Sequence, residues 1–430
     1  MAEPAGHATG AAPRSFAALR HPAYRVYLVG NMLAMMADSI EHAISYWVIG
    51  HQFHSPALGG FASLVHWLPF LLFSVWSGGL ADRFDPRRII QIGMALFMLA
   101  SLGWGYFFLT GTLEKWHAMV ILTVHGFAGV FWAPASQLLI HDIVGGPQLQ
   151  SAVRMMSTSR VLGLLAGPAV GGFLLEAVGP STGILINVLI YLPLTLWLWK
   201  APFGPRFHKG EAIQAAPRAK PPSWADMWAT LKMITGNRVI VCMTLLAGGA
   251  SFFIGNGYQP QIPLFLADFG HGSSELYYSV MMAAGGAGAL TAGIILESGG
   301  LLAPRPRTAF FLLMGWCFAI GSFAMVGNYW VALALLVVAG FLDLSFGSMT
   351  QTIVQLGAPA AIRGRVIGLF NTAYAGLRAV PGITIGVGGE FVGIHWSLAA
   401  CAAALLVCTA ALFSFLMRAA HVEARAAPGE

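Results

Sequence analysis

The chain has 430 residues, of which 57% are hydrophobic and only 9% charged, and its mean hydropathy is +0.71. A water-soluble protein carries about 25% charged residues, so a soluble globular fold is excluded. The net charge of +6 does not indicate nucleic acid, because the basic residues sit in alternate short loops between apolar runs, where membrane orientation needs them.

Residues 1–21 are rich in Ala, Gly and Pro and lack an apolar core, so no cleaved signal peptide is visible. Twelve apolar runs follow, each long enough to cross a hydrocarbon core of about 30 Å. They are predicted at 23–50, 58–80, 88–110, 116–140, 151–178, 182–200, 239–258, 276–296, 308–326, 329–356, 364–391 and 396–418. They are called spans 1 to 12 below. Both tails, every second loop and the span ends beside them then fall on one side and hold 20 of the 23 Lys and Arg residues. Lys115 is on the other side, and Arg160 and Arg378 lie within spans. By the positive-inside rule both termini are cytoplasmic.

The polar interval 201–237 contains five prolines and divides the chain into halves. Its last part, 224–234, spaces its apolar residues as a surface-lying amphipathic helix does. The organisation predicted is a cytoplasmic tail (1–22), a six-helix bundle (23–200), a cytoplasmic linker (201–237), a second bundle (238–418) and a cytoplasmic tail (419–430). A faint repeat, GPAVGG at 167–172 and GVGGE at 386–390, places similar glycine runs in spans 5 and 11. The four cysteines all lie in apolar runs and read as packing residues.

Ionisable residues inside spans cost roughly 2.5–3.5 kcal/mol each on insertion scales and are functional candidates for that reason. Asp38, Glu41 and His42 stand at i, i+3 and i+4 and share one face of span 1. Asp38 lies about 20 Å in from Arg25. The other candidates are His66, His125, Arg160, Asp343 and Arg378. A lone histidine is more often a hydrogen-bonded packing residue than a ligand, so His66 and His125 carry little weight singly. Arg378 reaches about the depth of Asp38 and is expected to neutralise a span 1 acid or grip an anionic substrate. Arg160 and Asp343, at comparable depth in opposite halves, are expected to form an inner gate. Trp132, Asn256 and Tyr258 are candidate cavity-lining residues.

The loop Gly78–Arg88, GGLADRFDPRR, puts five charges into seven residues. It resembles the signature loop of the major facilitator superfamily, roughly G-x-L-A-D-R-x-G-R-[KR], at Gly78, Leu80, Ala81, Asp82, Arg83 and Arg87. Asp85 and Pro86 replace the usual glycine and basic residue. The resemblance implies that Asp82, with Arg83 and Arg87, latches the cytoplasmic face against the N-terminus of span 11. In span 5, Gly163, Gly167, Pro168, Gly171 and Gly172 match the G-x-x-x-G-P-x-x-G-G pattern of exporter branches. Ala37-Asp38, residues 148–152 and residues 363–366 resemble macrolide and siderophore efflux proteins. Leu122 stands where many drug:proton antiporters carry an arginine, so their usual coupling arrangement is not implied.

The resemblance implies an all-α polytopic membrane protein, twelve transmembrane helices in two pseudo-symmetric six-helix bundles. It further implies a monomeric secondary transporter of the bacterial inner membrane. The expected activity is export of a drug-like or siderophore-like molecule in antiport with protons, with no cofactor and no nucleic acid. A second reading is divalent metal efflux, since Asp38-x-x-x-His42 is similar to the first-helix metal pair of ferroportins. The ferroportin second pair has no match, because span 11 offers Arg378. A non-transporting membrane enzyme or sensor ranks lowest. The chain has no G-x-x-x-x-G-K-[ST] loop, which excludes a built-in ATPase.

Overall fold

A computed structural model describes residues 17–145, 148–204, 232, 234–299, 304–359 and 363–426. Side chains at 74–75, 78–79, 81–83, 150, 154, 296–299, 363–365 and 418–426 fall outside that description. The expected tail at 1–16, the segment 224–231 of the amphipathic helix, and the side chains of Asp82 and Arg83 therefore lie outside it too.

Among the described residues the chain is helical throughout, and its helices make the twelve expected spans. Spans 1 to 4 are Pro22–Phe53, Pro56–Arg83, Pro86–Thr110 and Lys115–Val144. Proline at the first helical position starts spans 1 to 3, and a Glu114–His117 capping box starts span 4. Ser55 Oγ accepts from Leu58 N at 3.3 Å, and Asp85 Oδ1 accepts from Arg87 N at 3.1 Å. Spans 5 and 6 are one helical stretch, Leu149–Lys200, turned at Gly179 (φ 77°, ψ 169°) ahead of Pro180. That left-handed φ is available to glycine at no steric cost.

Among the described residues, eight helices are long and apolar enough to cross a membrane on their own, and one of them, Ser151–Lys200, holds two spans. The three spans that fall short are interrupted chemically or geometrically. Span 1 carries Asp38, Glu41 and His42. Span 7 is broken: Arg238–Phe253, then a 3-10 turn Gln259–Gln261, then Ile262–Asp268. Its freed backbone groups re-pair locally, as in Gly255 N to Ala250 O at 2.9 Å and Gly257 N to Ile254 O at 3.0 Å. Span 11 changes winding along its length. An α-helix, Arg363–Asn371, leads into π-helical Thr372–Gly376, a 3-10 turn Leu377–Ala379, π-helical Gly382–Val387 and a last α-helix, Gly388–Val392. Broken helices inside a membrane persist where protein or a cavity surrounds them.

Spans 8, 9 and 10 are Glu275–Gly299, Pro306–Met325 and Tyr329–Gly357. Span 12, Ile394–Ala426, runs on as helix beyond its expected end at 418. The core of the first half is built on Tyr24, Tyr27, Phe97, Trp104 and Tyr191, and that of the second on Phe265, Phe310, Phe323 and Phe346, all fully buried.

The closest approaches between the halves gather at the end away from the tails. A Cβ on Gly60 would strike the backbone of Gly382 and Gly386, and one on Gly50 would strike Pro263. Gln261 Nε2 donates to Pro56 O at 3.0 Å and Tyr278 OH to Ala43 O at 2.7 Å. At the start of span 2, Ala57 N donates to Glu390 Oε2 at 3.2 Å. At mid-depth Gly286 meets Leu165, and Gly376 meets Leu71. One turn nearer the tails, Arg160 is exposed. The bundle is thus sealed at the far end and opens toward the tails from about the level of Arg160.

Candidate functional site

The glycine pattern of span 5 holds span 1 in place. A Cβ at Gly163 would meet Met32 O and Met35, one at Gly167 would meet Ser39 and Met36 O, and one at Gly171 would meet Ala43 and Ile40. The i, i+4, i+8 stripe lets the two backbones approach closely. Gly172 instead faces Ser279 of span 8, across the interface between the halves. Asn187 of span 6 donates to Ala37 O at 3.0 Å and fixes the turn before Asp38.

On this support stands a cluster drawn from three spans. Asp38, Glu41 and His125 are only 7%, 2% and 3% exposed, while His42 and His66 are half-buried. His125 Nδ1 lies 2.8 Å from Glu41 Oε1, and its Nε2 lies 3.0 Å from Asp38 Oδ1. The second contact is too poorly aligned to be a hydrogen bond, so Asp38 Oδ1 and His125 Nε2 both lack a hydrogen-bond partner, as does His66 Nδ1. Ser101 Oγ donates to Glu41 Oε2 at 2.5 Å, and Asn187 Nδ2 donates to Ser101 Oγ at 3.4 Å. His42 Nδ1 is 3.9 Å from Asp38 Oδ2. The His42 ring centroid is 4.6 Å from that of His66 and 4.7 Å from that of His125. Tyr46 and Tyr191 lie within electrostatic reach of both carboxylates.

The recorded ion pairs of Asp38 and Glu41 are with histidines. Two buried carboxylates side by side repel each other and need a compensating positive charge. His125, placed between them, lies within reach of both carboxylates.

Arg378 keeps other company. Its guanidinium lies 5.2 Å from the Trp67 ring and 4.6 Å from the Tyr374 ring, and its Nε has no hydrogen-bond partner. Asp343 has Arg378 as its charged neighbour. Arg160 is within electrostatic reach of Arg378, Asp38 and Tyr374. No ion pair joins Arg160 to Asp343 among the described residues. The acid–histidine group thus lies in the first half and the Asp343–Arg378–Tyr374 group in the second, with Arg160 within electrostatic reach of Asp38, Arg378 and Tyr374.

Trp132 sits away from the cleft, buried in the first half's core, and its Nε1 donates to Asn31 Oδ1 at 3.0 Å. Asn256 lies in the break of span 7, where its carbonyl accepts from Gln259 N at 3.1 Å. Tyr258, nearby, is half-buried and within electrostatic reach of Asp343. Arg87 is buried and structural: Nε and Nη2 bind the Asp85 carboxylate at 3.0 and 2.5 Å, and Nη1 donates to Ala201 O. Sequence reading passed over Ser101, Asn187 and Glu390. A polar residue inside an apolar run was the available signal for the first two.

The profile of the Major Facilitator Superfamily matches residues 27–382. Macrolide efflux protein A of Streptococcus pyogenes is 22% identical over 390 residues, covering 89% of this chain and 92% of that one. Multidrug resistance protein MdtG of Proteus mirabilis is 26% identical over 333 residues, with 75% and 76% covered. The solved structure of a D-xylose–proton symporter superposes with a TM-score of 0.65 at 16% identity, covering 91% of this chain and 97% of that one. With the profile matching most of the chain, and with spans and halves laid out as above, this multi-pass membrane protein belongs to the Major Facilitator Superfamily of transporters.

Proposed function

We propose that this protein exports a small drug-like or siderophore-like organic molecule across the bacterial inner membrane by alternating access, in exchange for protons. The observation that carries the reading is the chain Asp38–His125–Glu41–Ser101, buried in one wall of a cleft that opens toward the tails. Both tails are assigned to the cytoplasm, where the Lys and Arg excess lies. The form described here then faces inward and is ready to load.

Substrate enters from the cytoplasm past Arg160. A donor group on it competes with the proton for Asp38, while its acidic or carbonyl oxygens meet Arg160 and Arg378. The displaced proton leaves through His42 and His66, which line the open side. When the far end opens instead, substrate departs and a proton returns to the carboxylate–histidine group. Arg160 and Asp343 draw together in that outward-open form as an inner gate, and Asp82 latches the cytoplasmic face.

Proteoliposomes loaded with a macrolide test the reading. A pH gradient should drive efflux in the wild type. Asp38→Asn and Glu41→Gln should abolish that drive while macrolide counterflow persists. Efflux that stays pH-driven in both variants would refute the coupling role.

A further inference from the structure

We propose that Asp38, His42, His66 and His125 form a binding site for a divalent transition-metal ion of the zinc type. Sequence spacing paired only Asp38 with His42. The fold adds His66, 24 positions beyond His42 on span 2, and His125 on span 4. One ligand atom from each of the four lies within 4.8 Å of all the others. Bonds of about 2.0–2.1 Å to a tetrahedral ion would place donors roughly 3.4 Å apart. Asp38 Oδ1 and His125 Nε2 are already at 3.0 Å, and His42 Nδ1 and Asp38 Oδ2 at 3.9 Å. Bringing even the widest spacing, 4.8 Å, to that distance needs a shift of about 1.4 Å shared between side chains.

Three of the four residues carry a polar atom left without a partner. Asp38 Oδ1, His125 Nε2 and His66 Nδ1 are buried and unpaired in hydrogen bonding. A transition ion takes these lone pairs, and three imidazoles with one carboxylate suit zinc, cobalt or nickel better than magnesium or calcium. The outer shell is in place as well. A ligating histidine characteristically directs its second nitrogen to a carboxylate, and His125 Nδ1 lies 2.8 Å from Glu41 Oε1. Glu41 is held in turn by Ser101 at 2.5 Å, and Ser101 by Asn187. Charge also closes: the two carboxylates balance a doubly charged ion with the three imidazoles neutral. Half-buried His42 and His66 leave a route in from the cleft.

The site itself does not depend on which organic molecule is carried.

The test uses the full chain, purified in detergent through a tag without histidines, with Co²⁺ as probe and Zn²⁺ as competitor. We expect one Co²⁺ per chain with the strong visible absorption of a tetrahedral site, displaced by stoichiometric Zn²⁺. His66→Gln and His42→Gln should abolish that absorption. Glu41→Gln should weaken binding on the order of 10–100-fold. His51→Gln and His54→Gln, whose residues line a separate cavity with Pro263 and Leu264, should bind as the wild type does. Absence of stoichiometric cobalt in the wild type, or unchanged binding in monodisperse His66→Gln and His42→Gln, overturns the proposal. The measurement contains no macrolide and no gradient, so its failure is separable from failure of the export reading.

Discussion

Glu41 and His125, 84 positions apart in sequence, meet at 2.8 Å with almost no exposure, and Ser101 seals the other oxygen of the carboxylate. Removing that hydroxyl leaves a buried charged acceptor short of one donor, at a cost of about 1–3 kcal/mol. Ser101→Ala should lower thermal stability in detergent and slow pH-driven transport more than counterflow. Equal slowing of both would assign Ser101 to packing.

The corner between spans 2 and 3 depends on Arg87. Burial alone would raise the Asp85 carboxyl, but hydrogen bonds from Arg87 and the charges of Arg87 and Arg88 hold it below its ordinary value. A depressed folded pKa contributes stability that is present above the unfolded value, about 3.9, and is lost as pH falls through the folded one. Wild type should therefore exceed Asp85→Asn in melting temperature at pH 6, and the gap should shrink below about pH 4. Arg87→Ala should cost about 2–3 kcal/mol through its lost charge-assisted bonds, read by chemical or thermal unfolding.

At the far end, Gly60 leaves no room between span 2 and the backbone of Gly382 and Gly386. Gly60→Leu should prevent that end from closing. Spin labels at positions 57 and 390 should then report longer distances than in wild type, and transport should fall at least tenfold. Unchanged distances would mean the seal tolerates a side chain there.

Glu390 lies at the end of span 11 and caps the start of span 2 through Ala57 N. A carboxylate at a helix N-terminus is worth about 0.3–1 kcal/mol, more when partly buried. Glu390→Gln should shift the population toward the outward-open form by roughly two- to fivefold, the equivalent of that energy. Alkylation of a cysteine in place of Ser279, which is buried against Gly172 across the seam, would measure it.

Hydropathy and basic-residue spacing carried the number of spans and their approximate ends, because the bilayer imposes both. The charged stretch 82–88 read as a loop, yet span 2 stays helical through Arg83 and only Phe84 and Asp85 separate it from span 3. Charges forbid hydrocarbon but do not forbid helix, and the substitution Asp85-Pro86 is itself a helix start. The glycine motif of span 5 was legible as spacing, and its packing partner, span 1, was not. His66 and His125 looked weak one at a time because nothing in their local sequence encodes the convergence of spans 1, 2 and 4. Trp132 failed as a cavity residue for a similar reason: an aromatic residue in a span gives no sign of which way it faces.

The uneven winding of span 11 bears on how such a bundle can move. Two π-helical stretches flank the turn that carries Arg378. If a wide turn tightens on one side while another widens on the other, the residues between screw forward by about 1.5 Å and swing about 100° around the axis. Both ends of the helix stay fixed while this happens. Arg378 could then be swept off Trp67 and away from Asp343 without tilting any rod, and span 11 would act as a worm gear set into a bundle of otherwise rigid shafts.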